Sequence, residues 1–368
     1  MKIYTITYHR CYNFGATLQA YALMKYLRNQ GCDAQIVDYF PKRMWFRNRF
    51  FALGGERSKK NIFTKFVYLI LQFPSRLSQL LRKKAFDKFE KKYFELTNKI
   101  TNYPDLSTKL GQADFYICGS DQIWNPHVAI NNNDPAFYLE FVSENKKKIA
   151  FAASFGVDKL SDNDIHIIKP MINNFSKIFV REKSGLSILA DMGVNNAQTV
   201  ADPVFLLSKD DWNKFTYNIN EKYILVYALS DYKKAINIAK AIADKTKLKI
   251  FNISLNKIKG ADKDLTSVGP FDFLSYIKKC EYFVTDSFHG TAFSLIFNKN
   301  FILFKRNGIN MSSRLINLLD EFKIENRFIN DDFQLFDLLK PIDYLNINNH
   351  LNDYANDARN KLLNAINN

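Results

Sequence analysis

Short apolar runs alternate with helix-patterned segments along nearly the whole chain, and no other feature restricts the fold as strongly. Lys2 to Thr7 is apolar and β-branched, a polar turn follows from His9 to Gly15, and apolar residues recur at helical spacing from Ala16 to Gln30. Gly31 stops that helix and Ala34 to Tyr39 reads as the next strand, so the chain opens as a βαβ unit. Further strands are expected at Asp114–Ser120, Lys147–Ser154, Lys177–Glu182 and Ala197–Pro203. A second series runs through strand Tyr223–Leu229, helix Tyr232–Thr246, strand Lys249–Ser254, helix Phe271–Cys280, strand Glu281–Ser287, helix His289–Asn298, strand Phe301–Lys305 and helix Ser312–Phe322. Short apolar strands separated by helices imply parallel sheets covered on both faces. The fold class is therefore α/β, with two Rossmann-like domains facing a cleft.

A chain of 368 residues suits two cores. The expected division is residues 1–207, then 208–345, then a helix over 346–368 that packs back, recognisable from about Leu351. The polar stretch Ser208 to Lys222 is the expected hinge, and about 41–103 is expected as a basic, helical insertion in the first domain. Between Lys42 and Lys92 fifteen Lys and Arg face only Glu56, Asp87 and Glu90, and aromatics from Trp45 to Phe89 are interleaved with them. That composition favours attachment of 42–92 to an anionic membrane surface over a solvated helical insertion, and no nucleic acid partner is expected. Ile62 to Phe73 is interrupted by Lys65 and falls short of the roughly 20 residues a spanning helix needs. The start, MKIYTITYHR, lacks a leader's cleavage site. The expected location is the cytoplasm, peripheral at the inner face of the membrane. Cys11, Cys32, Cys118 and Cys280 are too scattered to suggest a disulfide framework or a metal pair.

Open parallel sheets bind ligands beyond the carboxyl ends of their strands, which selects a few loops. In TDSFHGTAFSLIFN, Thr285 to Asn298, a buried strand turns directly into an apolar helix, placing His289 at a helix N-terminus. The N–H groups of Gly290, Thr291 and Ala292 would attract an anion there, with Gly290 admitting close approach, and Asp286 and Ser287 would either cap the helix or orient His289. Strand-end Arg181, and Lys305, Arg306 and Arg314 downstream, suit carboxylate and phosphate groups. Asn13 and Gly15 lie in the first strand-to-helix turn, and Ser120, Asp121, Gln122 and Trp124 offer hydroxyl, carboxylate, amide and indole for a sugar. The alternative for Trp124 is a core position. Neither GxGxxG after the first strand, GxxxxGK[ST], HExxH nor GxSxG is present, which removes dinucleotide oxidoreductases, P-loop ATPases, zincins and serine hydrolases.

NFGATLQAYAL from Asn13, GSDQIWN from Gly119, VRE from Val180, DPVF from Asp202 and the TDSFHG turn, taken in this order, resemble the polysaccharide pyruvyl transferases over about residues 1–325. The resemblance implies a GT-B-like fold and transfer of the pyruvyl group of phosphoenolpyruvate to two hydroxyls of one sugar, as a ketal, with release of phosphate. The partners so implied are phosphoenolpyruvate, as co-substrate, and a sugar of a bacterial surface glycan or its lipid-linked precursor, with no metal and no other cofactor. The family's essential histidine maps to His289, with Asp286 as its expected companion. Its donor-binding groups map to Arg181, Lys305 and Arg314, with Ser287 and Gly290 beside them, and Asn13, Gly15, Ser120, Asp121, Gln122 and Trp124 are left for the acceptor. A nucleotide-sugar glycosyltransferase of the same architecture is the alternative enzyme, and a glycan- or membrane-binding protein on the same scaffold is the non-catalytic one.

Overall fold

The computed structural model describes residues 1–44, 62–128, 133–305, 313–329 and 339–367, and within 62–75 the backbone only. The first sheet contains β1 (Lys2–Ile6), β2 (Asp33–Ile36), β3 (Phe115–Cys118), β4 (Lys147–Ala153), β5 (Lys177–Val180) and β6 (Gln198–Thr199), ordered β2-β1-β3-β4-β5-β6. The second contains β7 (Tyr223–Tyr227), β8 (Lys249–Asn252), β9 (Lys263–Asp264), β10 (Tyr282–Thr285), β11 (Asn300–Phe304) and β12 (Phe328–Ile329), ordered β12-β11-β10-β7-β8-β9. All pairings are parallel. Strand order therefore reverses between β1 and β3 in one sheet and between β7 and β10 in the other. These reversals open crevices at the carboxyl ends of the strands.

The helices are α1 (Phe14–Asn29), α2 (Ile62–Tyr93), α3 (Asp105–Lys109), α4 (Asp162–Ile172), α5 (Lys183–Asp191), α6 (Lys209–Asn213), α7 (Tyr232–Thr246), α8 (Pro270–Lys279), α9 (Phe288–Phe297), α10 (Ser313–Phe322) and α11 (Tyr344–Asn367). Local chemistry fixes the important ends. Asn13 caps α1, its Oδ1 accepting from Gly15 N at 2.9 Å and Ala16 N at 3.2 Å, and Gly31 at φ +81° ends it. The expected strands are longer than the observed ones because their polar last residues leave the ladder and become caps. Ala197–Pro203 shrinks to β6 for this reason: Asp202 Oδ1 accepts from Val204 N at 3.1 Å and starts a 3-10 turn, Pro203–Leu206.

One apolar core runs through both halves. Phe14 of α1 stacks on Phe273 of α8 with centroids 4.3 Å apart, and Trp212 meets Phe293 of α9 at 5.0 Å. The stretch Ser208 to Lys222, expected as a polar hinge, thus carries a capped helix whose Trp212 is fully buried at the junction. Helix α11 starts at Tyr344, earlier than the expected Leu351, and packs on the connection between halves: Arg359 Nε donates to Leu206 O and Lys361 Nζ to Thr199 O.

The basic segment departs further from expectation. From Arg76 onward α2 is part of the fold, with Phe86 on Phe14 at 5.3 Å, Phe89 on Phe271 at 5.1 Å and Ser78 Oγ 2.5 Å from Thr266 Oγ1. Phe86 and Phe89 are fully buried and have no face to offer a membrane. Trp45 and Phe46 to Phe51, and the side chains of Phe63, Phe66, Tyr68 and Phe73, lie outside the described residues. Among the described residues no helix is long and apolar enough to cross a membrane.

Candidate active site

Both reversal points carry candidate residues. The β1 and β3 ends lead into Asn13–Gly15 and Ser120–Gln122, and the β7 and β10 ends lead into Leu229–Ser230 and Asp286–His289. α9 and the 3-10 turn join them. Gly15 lies directly against the imidazole, and a Cβ placed there would stand 2.0 Å from His289 Nδ1. Only a residue without a side chain lets α1 begin at this spot.

The centre of the arrangement is Asp202, fully buried after β6. Its Oδ2 accepts from Arg181 Nη1 at 2.6 Å and from Ser120 Oγ at 3.1 Å, and lies 3.4 Å from His289 Nε2. Burial alone would raise this carboxyl's pKa, but the imidazole and guanidinium outweigh it and hold it well below the usual carboxylate range. Arg181 is buried too. Burial would lower its pKa, yet Asp202, Asp121 and Glu182 keep the guanidinium charged. It stacks 4.5 Å over the Phe288 ring, and its Nη2 is 3.7 Å from Asp121 Oδ1. Among the described residues, Arg181 Nε and Nη2 and His289 Nε2 have no hydrogen-bond partner although they are buried. A buried guanidinium with donors to spare is suited to an oxyanion. Arg181, Lys183, Thr199, Phe288, Arg314 and Tyr354 border a cavity of about 140 Å³.

Other expected residues take different places. Asp286 turns to the β7 loop, its carboxylate accepting from Leu229 N at 2.8 Å and from Ser230 N and Oγ at 3.2 and 3.0 Å. The carboxylate beside His289 is Asp202, not Asp286. Ser287 caps α9 by accepting from Gly290 N at 3.2 Å, so that N–H is not open to an anion, and Thr291 N bonds to Ser287 O. Gly290 packs where a Cβ would meet Thr285 Oγ1 at 2.9 Å and the Phe283 ring at 3.1 Å; its smallness serves packing against β10. Trp124 is fully buried, parallel to Tyr138 at 5.8 Å, and its Nε1 donates to Phe137 O. It has no face for a sugar. Ser120 is buried with its single hydroxyl proton shared between Ala152 O and Asp202, while Gln122 accepts from Asn125 Nδ2 beside Gly156. Asp121 stays partly exposed beside Arg181. Lys305 is exposed at the end of β11, and Arg306 lies outside the described residues.

Sequence reasoning gave no role to Asp202 or Glu182. Glu182 Oε1 accepts from Ser154 Oγ, Phe155 N and Gly156 N and so ties the end of β4 to the Arg181 strand. The available signal was an Asp-Pro step closing an apolar strand.

A family model for polysaccharide pyruvyl transferase matches residues 13–308. No curated protein matches the chain. Among solved structures, S. aureus MnaA in a co-structure with UDP is 13% identical, with 96% of this chain and 97% of that one covered and a TM-score of 0.50. An alpha-glucosyltransferase in complex with UDP and a 13-mer DNA containing a HMU base is 8% identical, with both chains 100% covered and a TM-score of 0.50. The likeness is one of fold: two parallel-sheet halves in the GT-B arrangement.

Proposed function

Since the chain belongs to the polysaccharide pyruvyl transferase family and is a transferase, we propose that it moves the pyruvyl group of phosphoenolpyruvate onto two hydroxyls of one sugar of a surface glycan or its lipid-linked precursor. The observation that carries this reading is the group of His289, Asp202 and Arg181, in which a buried imidazole and a buried guanidinium with unused donors share one carboxylate.

Arg181, with Arg314 across the same cavity, binds the carboxylate and phosphate of phosphoenolpyruvate. Lys305, at the end of β11, approaches the donor from the solvent side. Asp202 lies beside the imidazole of His289 and, with Gly15, fixes the ring. His289 protonates the methylene carbon, which leaves an oxocarbenium centre at C2. One sugar hydroxyl attacks C2 and its proton returns to His289. Phosphate then leaves, the second hydroxyl closes the ketal, and its proton leaves with phosphate. One proton thus ends in the new methyl group and one on phosphate. Arg181 stabilises the charge that moves to the leaving group. The acceptor rests against the first half near Asn13 and Asp121.

Calorimetry of phosphoenolpyruvate on wild type and Arg181→Gln tests the donor assignment. Wild type is expected to bind and the variant to bind at least tenfold more weakly, whereas equal affinities would remove Arg181 from the site. Nucleotide sugars in parallel distinguish a glycosyltransferase, which would bind them and ignore phosphoenolpyruvate.

A further inference from the structure

Helix α2 carries a second buried cation to the junction of the halves, over the Phe14 ring that packs on Tyr227 and Phe273. Arg82 is 5% exposed, its guanidinium 4.2 Å from the Phe14 ring centre and 5.6 Å from that of Phe86. Among the described residues its Nε and Nη1 donate to nothing, and no carboxylate lies within ion-pair distance. Other buried arginines are served differently: Arg181 has Asp202, and Arg327 donates to Lys340 O. Burial depresses the pKa of Arg82, and only the phenols of Tyr227 and Tyr232 act in the other direction. These two residues stand on either side of the Leu229–Ser230 loop that Asp286 anchors, at the reversal point of the second sheet.

The contacts give the order of groups. Arg181 stacks on Phe288, the next residue is His289, its ring meets Gly15, and the residue before Gly15 is Phe14, which lies under Arg82. Arg82 thus lies over the residue before the glycine that faces the imidazole, and Arg181 over the residue before the imidazole itself. A guanidinium enclosed by aromatic rings without a counter-charge is costly, and a neutral sugar hydroxyl does not offset that cost. Open donors on two nitrogens suit a tetrahedral oxyanion with several acceptor oxygens.

We propose that Arg82 binds a phosphate group of the acceptor, so that the sugar enters as a phosphate or diphosphate ester lying across His289 from the donor. This rests on the reading that phosphoenolpyruvate occupies the Arg181 side.

The test compares wild type with Arg82→Met and Arg82→Lys, using a nucleoside diphosphate sugar, a short-prenyl diphosphate sugar and the corresponding methyl glycoside. Wild type should prefer at least one diphosphate ester over the methyl glycoside by tenfold or more in kcat/KM, and Arg82→Met should lose that preference while KM for phosphoenolpyruvate moves less than twofold. Arg82→Lys should fall between. Calorimetry of the same esters, without phosphoenolpyruvate, reads the site independently of turnover, with binding at least tenfold weaker in Arg82→Met. If no acceptor supports consumption of phosphoenolpyruvate, the functional reading fails while this binding result still decides the Arg82 site. Arg82→Met should also melt no lower than wild type when unliganded, because it removes a buried charge that has no partner among the described residues. A lower Tm in that variant, or equal affinity for the esters in the two proteins, overturns the proposal.

Discussion

Gly15 and His289 show how a single atom's absence can hold a site together. A methyl at position 15 would overlap the imidazole, with 2.0 Å between Cβ and Nδ1, so either the ring or the start of α1 must move. Gly15→Ala is predicted to reduce kcat about 100-fold, the order expected when a catalytic group is displaced by an ångström or so, and to lower the Tm by roughly a few degrees as the buried site is overpacked. A kcat within threefold of wild type would show that His289 tolerates the shift. The glycine was readable as part of a strand-to-helix turn, but its reason was not, because the ring it faces belongs to the other half of the chain. Asp202 was hidden for the same cause. Its partners Ser120, Arg181 and His289 come from three separate strand ends, and only the assembled fold brings them together. Trp124 misled in the opposite direction: an indole next to polar residues suggests sugar binding, yet Tyr138 and Phe137 O occupy its face and its N–H.

Among the elements, α2 was the least legible. A basic, aromatic helix reads as a surface feature, but its Phe86, Phe89 and Glu90 are buried, the two rings against α1 and α8 and the carboxyl beside Arg10. Its docking contains a charge cluster: Arg10 is bidentate on Asp38 at 2.7 Å and reaches Glu90 Oε2 at 3.3 Å, and His9 Nε2 is 3.1 Å from Asp38. Burial pushes Glu90 up to about 8, with Asp87 and Asp38 adding to the rise and Arg10 opposing it. Between the ordinary glutamate value and about 8 the folded chain retains a proton that the unfolded chain has lost. The stability from Glu90 is therefore present in full at low pH and is lost as pH rises through that window. Glu90→Gln should remove this loss, so its Tm minus that of wild type should increase by several degrees between pH 5 and pH 9. Parallel Tm curves would contradict it. The regular strands and helices were far easier to read, since an apolar run buried on both faces has one pattern, and only their polar ends were misassigned.

At the scale of the whole molecule, the βα alternation was sufficient for two parallel sheets, and strand-end reasoning selected the loops where His289, Arg181 and Gly15 stand. It did not indicate that one core joins the halves through Phe14, Phe273, Trp212 and Phe293, because contacts between distant aromatics leave no local pattern. That shared core brings together a histidine from the second sheet, a carboxylate from the connection and an arginine from the first sheet. The most direct measurement of the whole account is sugar-dependent phosphate release from phosphoenolpyruvate by wild type and His289→Ala. Release in wild type is expected to depend on an acceptor sugar and to fall at least 100-fold in the variant, consistent with loss of a general acid. Release by His289→Ala at the wild-type rate would contradict it, and so would intact phosphoenolpyruvate while a nucleotide sugar is consumed.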